Sequence, residues 1–360
     1  MSTLEANQKL DEALRSHDAV IYARAAHESY VQASKAVGEI TRCYRIAGCK
    51  IRLTLAGGAL CPQITPAFEH LRTESLASPD LTICLFDSVT TGREVPPPAW
   101  NFSDYLARGE IRGYNDGRIC TAYKHGSRVV SLLDLQVNRG IFWTRDASQL
   151  PYWERGAPVL SILHWWMGQN KRCLVHAAAV GNEHGAALIV GRQGSGKSTT
   201  ALSCVAAGLK YLGDDYTVIS SEPPLVHSLY NTAKLDGNHL ASFPQFVSSI
   251  SNPATLDKEK ALLFMQDCAP QQIACALPIR AILVPRVTGQ KETRVQKGSP
   301  ATALAAMAPS TIFQLPRAGA STFKYLASFV STVPCFRLEC GTDLAQIAAT
   351  IEALLRETSG

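Results

Sequence analysis

Apolar residues recur along this chain in two rhythms. Over residues 1–40 the spacing is helical, with Leu10, Leu14 and Ile21 on one side. From Tyr44 the period becomes two. Ile51, Leu53 and Leu55 alternate with polar residues, which predicts a half-buried strand, and Ala47-Gly48 reads as the turn of a hairpin. Residues 65–71 predict a short helix, with Thr65 as N-cap and Pro66 at its first position. Residues 81–86 form the next apolar run, and Val95-Pro96-Pro97-Pro98 breaks the pattern. Strands follow over 118–123 and 128–133, and 134–143 continues the sheet. An apolar helix is predicted over 152–167, with Trp165 and Trp166 in packing roles.

In the second half, 173–180 and 186–190 are apolar runs suited to buried strands, joined by a turn at Asn182-Glu183-His184-Gly185. Residues 199–208 predict a helix ended by Gly208. The run 211–219 frames two acidic residues. Strands are expected over 281–284 and 335–339. A closing helix over 342–356 puts Leu344, Ile347, Ile351 and Leu355 on one face. The pattern divides the chain into a β-rich accessory domain with a helical N-terminus, residues 1–150, and an α/β domain, residues 151–360.

Between the strand at 186–190 and its helix lies Gly191-Arg192-Gln193-Gly194-Ser195-Gly196-Lys197-Ser198, which reads G-x-x-x-x-G-K-S. This is the spacing of a phosphate-binding P-loop (Walker A) in the strand–loop–helix context that the motif needs. Glycines let the backbone curl so that N–H groups point at phosphate oxygens, and the helix start adds partial positive charge. Lys197 can reach the β- and γ-phosphates, and the Ser198 hydroxyl can ligate Mg²⁺. Residues 191–198 with Thr199 are therefore the expected nucleotide contacts, with ATP and Mg²⁺ as cofactors.

Composition changes this picture little. The chain has 360 residues, enough for two domains, with 46% hydrophobic and 18% charged residues. A net charge of +5 suits an anionic ligand, and no basic and aromatic array points to nucleic acid. Eleven cysteines occur without any C-x-x-C, most of them in apolar runs, which fits small buried residues in a reducing compartment. The polar N-terminus lacks an apolar signal core, and no run reaches membrane-spanning length. The expectation is a cytoplasmic protein that binds no nucleic acid and no membrane, with room for a homo-oligomer.

Asp214-Asp215 is the second informative site. Adjacent carboxylates beside a strand are costly unless positive charge lies near, and a nucleotide's Mg²⁺ supplies it. Phosphoryl transfer also needs a group that accepts the hydroxyl proton. Two neighbouring aspartates can share these tasks if the strand ends or bulges after Gly213, because adjacent strand residues face opposite sides. His176, placed mid-strand, is a candidate to assist proton transfer or to orient an aspartate. The catalytic set is therefore His176, Lys197, Asp214 and Asp215, with Ser198 and Asp215 entered on the metal and the identity of the base left open. Lys234, Arg280, Arg286 and Arg317 are weaker candidates for phosphate or acceptor contacts.

On these residues, 176–219 resembles the catalytic core of the HPr kinase/phosphorylase family, which is similar in fold to ATP-dependent phosphoenolpyruvate carboxykinase. His176, the loop 191–198 and the pair Asp214-Asp215 match the family's histidine, phosphate loop and paired aspartates. The family's acidic-Ile-Arg-Gly block has no counterpart here. Tyr44-Arg45-Ile46-Ala47-Gly48, Pro66-Ala67-Phe68-Glu69-His70-Leu71, Asp80-Leu81-Thr82-Ile83 and Val333-Pro334-Cys335-Phe336-Arg337-Leu338 resemble the HPr-kinase-related proteins of lasso and similar ribosomal peptide pathways. The resemblance implies a P-loop kinase domain behind the accessory domain. It also implies γ-phosphoryl transfer from ATP to a serine hydroxyl of a precursor peptide or protein. A small-molecule hydroxyl kinase of the same fold and a nucleotide-dependent binding protein with little turnover are the alternatives.

Overall fold

The computed structural model describes residues 3–75, 77–98 and 100–358, with side chains from residue 18 onward. The fold is mixed α/β and divides into two compact units. One comprises Met1–Pro66, Arg72–Trp166 and Leu315–Arg317; the other comprises Ala67–Leu71, Met167–Gln314 and Ala318–Gly360.

The first unit opens with the long helix α1 (Thr3–Val37). Its sheet runs β3-β1-β2-β4-β7-β6-β5. The strands are β1 (Glu39–Ile46), β2 (Cys49–Ala56), β3 (Arg72–Thr73), β4 (Leu81–Asp87), β5 (Ile119–Lys124), β6 (Val129–Asp134) and β7 (Arg139–Thr144). β4 is parallel to both neighbours, and the other pairs are antiparallel. The predicted hairpin turn is present, with Ala47 and Gly48 both at positive φ (49° and 80°), the geometry that suits the twist of a two-residue hairpin.

Helix α1 buries Ala19, Tyr22, Ala23, Ala26, Tyr30 and Ala33 against Phe86, Leu132 and Ile141 of the sheet. The expected stripe is therefore corrected: Ile21 is 51% exposed. Alanine, scored as weakly apolar, lets the helix approach the sheet closely, and the two tyrosines fill the space beyond. The side chains of Leu10 and Leu14 lie outside the described residues.

Two further helix expectations need correction. Helix α2 (Cys61–Ile64) starts four residues before Thr65 and tightens into a 3₁₀ segment at Thr65–Leu71. Thr65 does not cap it; its hydroxyl donates back to the Cys61 carbonyl at 3.0 Å. After the short α3 (Ser88–Thr91), the predicted helix over 152–167 is two pieces, α4 (Tyr152–Gly156) and α5 (Leu160–Gln169). Pro158 lacks the N–H a continuous helix needs, and Val159 turns to φ 50°. Trp165 and Trp166 are buried, and their ring N–H groups donate to Pro316 O and Asn138 Oδ1.

The second unit holds a nine-stranded sheet and a two-stranded one. The strands are β8 (Cys173–Val175), β9 (Ala177–Asn182), β10 (Gly185–Val190), β11 (Lys210–Gly213), β12 (Thr217–Ser221), β13 (Pro224–His227), β14 (Thr232–Leu235), β15 (Ala261–Phe264), β16 (Ala276–Val287), β17 (Arg294–Lys297) and β18 (Cys335–Cys340). The large sheet runs β11-β9-β10-β16-β13-β12-β8, with β18 also on β16 and β17 beyond it; β14 pairs with β15 in a separate two-stranded sheet. The helices are α6 (Lys197–Ala206), α7 (Met265–Cys268), α8 (Pro300–Ile312), α9 (Ala320–Val330) and α10 (Leu344–Glu357).

Side chains alternate along β10. Leu188 and Val190 meet Met307 and Phe329 of α8 and α9, while Ala187 and Ile189 meet Ala201 of α6 and Ile351 of α10. Helices on both faces explain why this strand reads as an unbroken apolar run. Among the described residues, no helix is long and apolar enough to cross a membrane.

Candidate functional site

Strand register brings the site together. Val190, the last residue of β10, pairs with Ala177, the first of β9. His176 therefore lies beside Gly191, where the glycine-rich loop begins. On the other side of β9, Gly213 at the end of β11 pairs with Ala179, after a register shift at Tyr211/Gly213. The next residues, Asp214 and Asp215, thus leave the sheet close to the level of His176. The strand expected over 173–180 is not continuous: the chain breaks at His176, with β8 pairing β12 and β9 pairing β10 and β11. His176 is a hinge residue, and Asp214-Asp215-Tyr216 is the matching hinge between β11 and β12. Asp215 turns with φ 65°, a conformation sparsely used outside glycine and tolerated best by Asn and Asp.

The loop takes left-handed turns at Gly194 (φ 78°) and Gly196 (φ 99°). A Cβ at Gly191 would stand 2.5 Å from Ser195 Oγ, so a larger residue there would force the Ser195 side chain to move. Helix α6 starts at Lys197, and the N–H of Thr200 donates to Gly196 O at 2.9 Å. Lys197 is 6% exposed and folds over the loop, its Nζ donating to Gly191 O at 2.8 Å and Arg192 O at 3.3 Å. Burial lowers its pKa, and Asp214 and Asp215 act in the opposite sense. Arg192, Gln193 and Gly194 are exposed; Ser195, Ser198 and Thr199 are partly so.

The two aspartates differ. Asp214 is 2% exposed; Oδ2 accepts from the Lys234 backbone N–H at 3.4 Å, and Oδ1 is buried with no hydrogen-bond partner among the described residues. Burial and the Asp215 charge push its carboxyl up, countered in part by the Ser198 hydroxyl and Lys197 ammonium. Asp215 has a 26% exposed side chain, with Oδ2 2.7 Å from Lys234 Nζ and Oδ1 3.6 Å from His176 Nε2. Burial would raise Asp215, but Lys234 and His176 outweigh it and hold the carboxyl well below the usual carboxylate range. His176 is itself buried; its N–H donates to Thr311 Oγ1 at 3.1 Å, and its ring lies 5.3 Å from that of Tyr216.

The structure thus gathers His176, Lys197, Ser198, Asp214 and Asp215. The sequence understated Lys234, whose side chain is 12% exposed on β14. The available signal was a lysine inside the buried run Thr232-Ala233-Lys234-Leu235. The other basic candidates do different work. Arg280 donates to His184 O, Arg286 is exposed, and Arg317 is bound within the first unit by Glu110, Ile119 and Asp116. Ser198 lies with Asp214, while Asp215, the expected metal partner of Ser198, is taken by Lys234. Among the described residues no group of three His, Cys, Asp or Glu could hold a metal ion alone.

No protein-family model and no curated protein matches the chain. Among solved structures, the HPr(Ser) kinase/phosphatase from Coxiella burnetii aligns with a TM-score of 0.28 and 11% identity, over 51% of this chain and 94% of that one.

Proposed function

We propose that the chain is an ATP-dependent kinase that transfers the γ-phosphoryl group to a hydroxyl, a serine of a peptide or protein. One observation supports this reading above the others: the glycine-rich loop and two carboxylates of opposite electrostatic character share one end of the second unit's sheet. The loop's N–H groups and Lys197 would cradle the phosphates, with Lys197 exchanging its carbonyl partners for phosphate oxygens.

The residues also fit Mg²⁺. Ser198 and Asp214 offer hard oxygens, and the buried, partnerless Oδ1 of Asp214 is costly without a cation. When bound there, the ion would offset charge on the β- and γ-phosphates. This reading moves the metal from Asp215 to Asp214. Asp215 then faces the acceptor, held ionised and oriented by Lys234 and His176. A carboxylate so far below neutrality is a weak base, which suits a loose transition state in which the hydroxyl proton leaves late.

The test uses labelled ATP and Mg²⁺ with a serine-bearing peptide, HPr protein and free serine offered in parallel. Label on peptide or protein supports the proposal; label on free serine alone favours a small-molecule kinase. Lys197→Ala should abolish turnover, because the transferred group loses its nearest protein cation. A folded Lys197→Ala variant with near-normal turnover would remove this site from the chemistry.

A further inference from the structure

The first unit holds a cavity that the proposed reaction does not use. It has a volume of about 440 Å³ and lies between α1 and the sheet, with His27, Tyr30 and Ser34 on the helix side and Thr82, Cys84 and Arg139 on the strand side. A second cavity of about 90 Å³ shares His27 and Arg139 with it. Elsewhere along α1 the helix–sheet interface is alanine, tyrosine and aliphatic residues in contact.

Arg139 is the centre of this groove. It is half-buried at the start of β7, opposite Thr82 on one side and Asp134 on the other. A guanidinium carries five donors. Here one nitrogen reaches His27 Nδ1 at 3.5 Å, and among the described residues no carboxylate or carbonyl accepts from it. Asp134 takes a two-pronged contact from Arg118, and the groove is lined by two guanidinium groups, Arg139 and Arg52, against one carboxylate, Glu39, which accepts from the Tyr30 hydroxyl at 2.7 Å. Burial, then the Arg139 charge, lowers the His27 pKa, so the ring is neutral near pH 7 and has one N–H to give.

We propose that this groove binds a small anion, carboxylate or phosphate, through the Arg139 guanidinium with His27 beside it. The planar fork of arginine matches both groups, and the volume is that of a small-molecule site. The site is independent of the kinase reading and stands or falls without it.

Isothermal titration of the full-length protein with succinate, inorganic phosphate and neutral succinamide tests this. The expected result is binding of succinate or phosphate with a Kd below about 1 mM and none of succinamide. Binding should survive Lys197→Ala and weaken at least roughly tenfold in Arg139→Gln, with Arg139→Lys between. His27→Gln, which leaves the strand untouched, should also weaken it and serves if Arg139→Gln does not fold. No binding by either anion overturns the proposal. So does equal binding by folded Arg139→Gln, or loss with Lys197→Ala alone, which would assign the anion to the glycine-rich loop.

Discussion

Asp214 and Asp215 are neighbours with opposite needs, and substitution should separate them. Burial and the neighbouring Asp215 charge both disfavour the ionised form of the Asp214 carboxyl. Asp214→Asn should therefore raise Tm by a few degrees while lowering the rate of the proposed phosphoryl transfer by roughly 10²-fold. Asp215→Asn removes the partner of Lys234, a largely buried cation, so both Tm and rate should fall. Calorimetry alongside the labelled-ATP assay reads both outcomes; a lower Tm for Asp214→Asn would show that its carboxylate is better satisfied than the geometry implies. Much of this site was legible in the sequence, because the loop motif and the aspartate pair are local patterns. The division of labour between the aspartates was not, since it depends on Lys234, which arrives from a strand some twenty residues later and is fixed only by tertiary packing.

Among the elements, α1 shows best where the sequence pattern stops. Loose spacing of large aliphatics selects the wrong face, and the face that packs is built from Ala19, Ala23, Ala26 and Ala33 with two tyrosines. Small residues score weakly in any hydrophobic pattern, yet they set how near a helix can lie to a sheet. Ala26→Leu should accordingly cost about 1–3 kcal/mol by overpacking, while Ile21→Ser should stay within about 0.5 kcal/mol of wild type. Denaturant unfolding of the two variants distinguishes this face from the expected one; a large loss at Ile21 would reverse the assignment. Strands β4 and β10 were readable because helices or strands bury them as continuous runs. Helix α8 was missed although Ser299 and Pro300 mark its start, because its alanine-rich face gives little periodic contrast. The broken strand at 173–180 could not be read, since a run of apolar residues does not say which neighbours its two halves pair with.

At the scale of the whole molecule, three histidines set a pH dependence. Burial pushes the pKa of His70 and His164 down to about 4, His164 further aided by Arg108 and Arg317; burial, then Arg172, takes His227 to about 4 as well. Each is neutral in the fold and would protonate near 6.5 when unfolded. Their contribution to stability is complete above about pH 6.5 and is lost as pH falls toward 4, with a slope of up to about 1.4 kcal/mol per pH unit for each. His164 belongs to the first unit, and His70 and His227 to the second. The first unit should therefore weaken between pH 6.5 and 4; in the second unit the raised pKa of Asp214 acts in the opposite sense to the two histidines, and the depressed pKa of Asp215 matters only at lower pH. Thermal unfolding across that range should show a falling Tm for the first unit; a flat profile there would mean that the His164 ring reaches solvent.

The paired breaks at His176 and Asp214–Asp215 have a consequence for how this chain tolerates change in length. The position of His176 is counted in residues from the β9–β10 hairpin, whose turn lies at the opposite end of those strands, and that of Asp214 from the pairing of β11 with β9. Lengthening the turn at Glu183-His184 leaves the count from Ala177 to Val190 partners intact. Deleting a single residue inside β9 inverts every side chain beyond it and draws His176 into the sheet. Among variants with one residue gained or lost, those in the turn should keep the site, and those in the strand should lose it even when the residue removed is only one of its alanines.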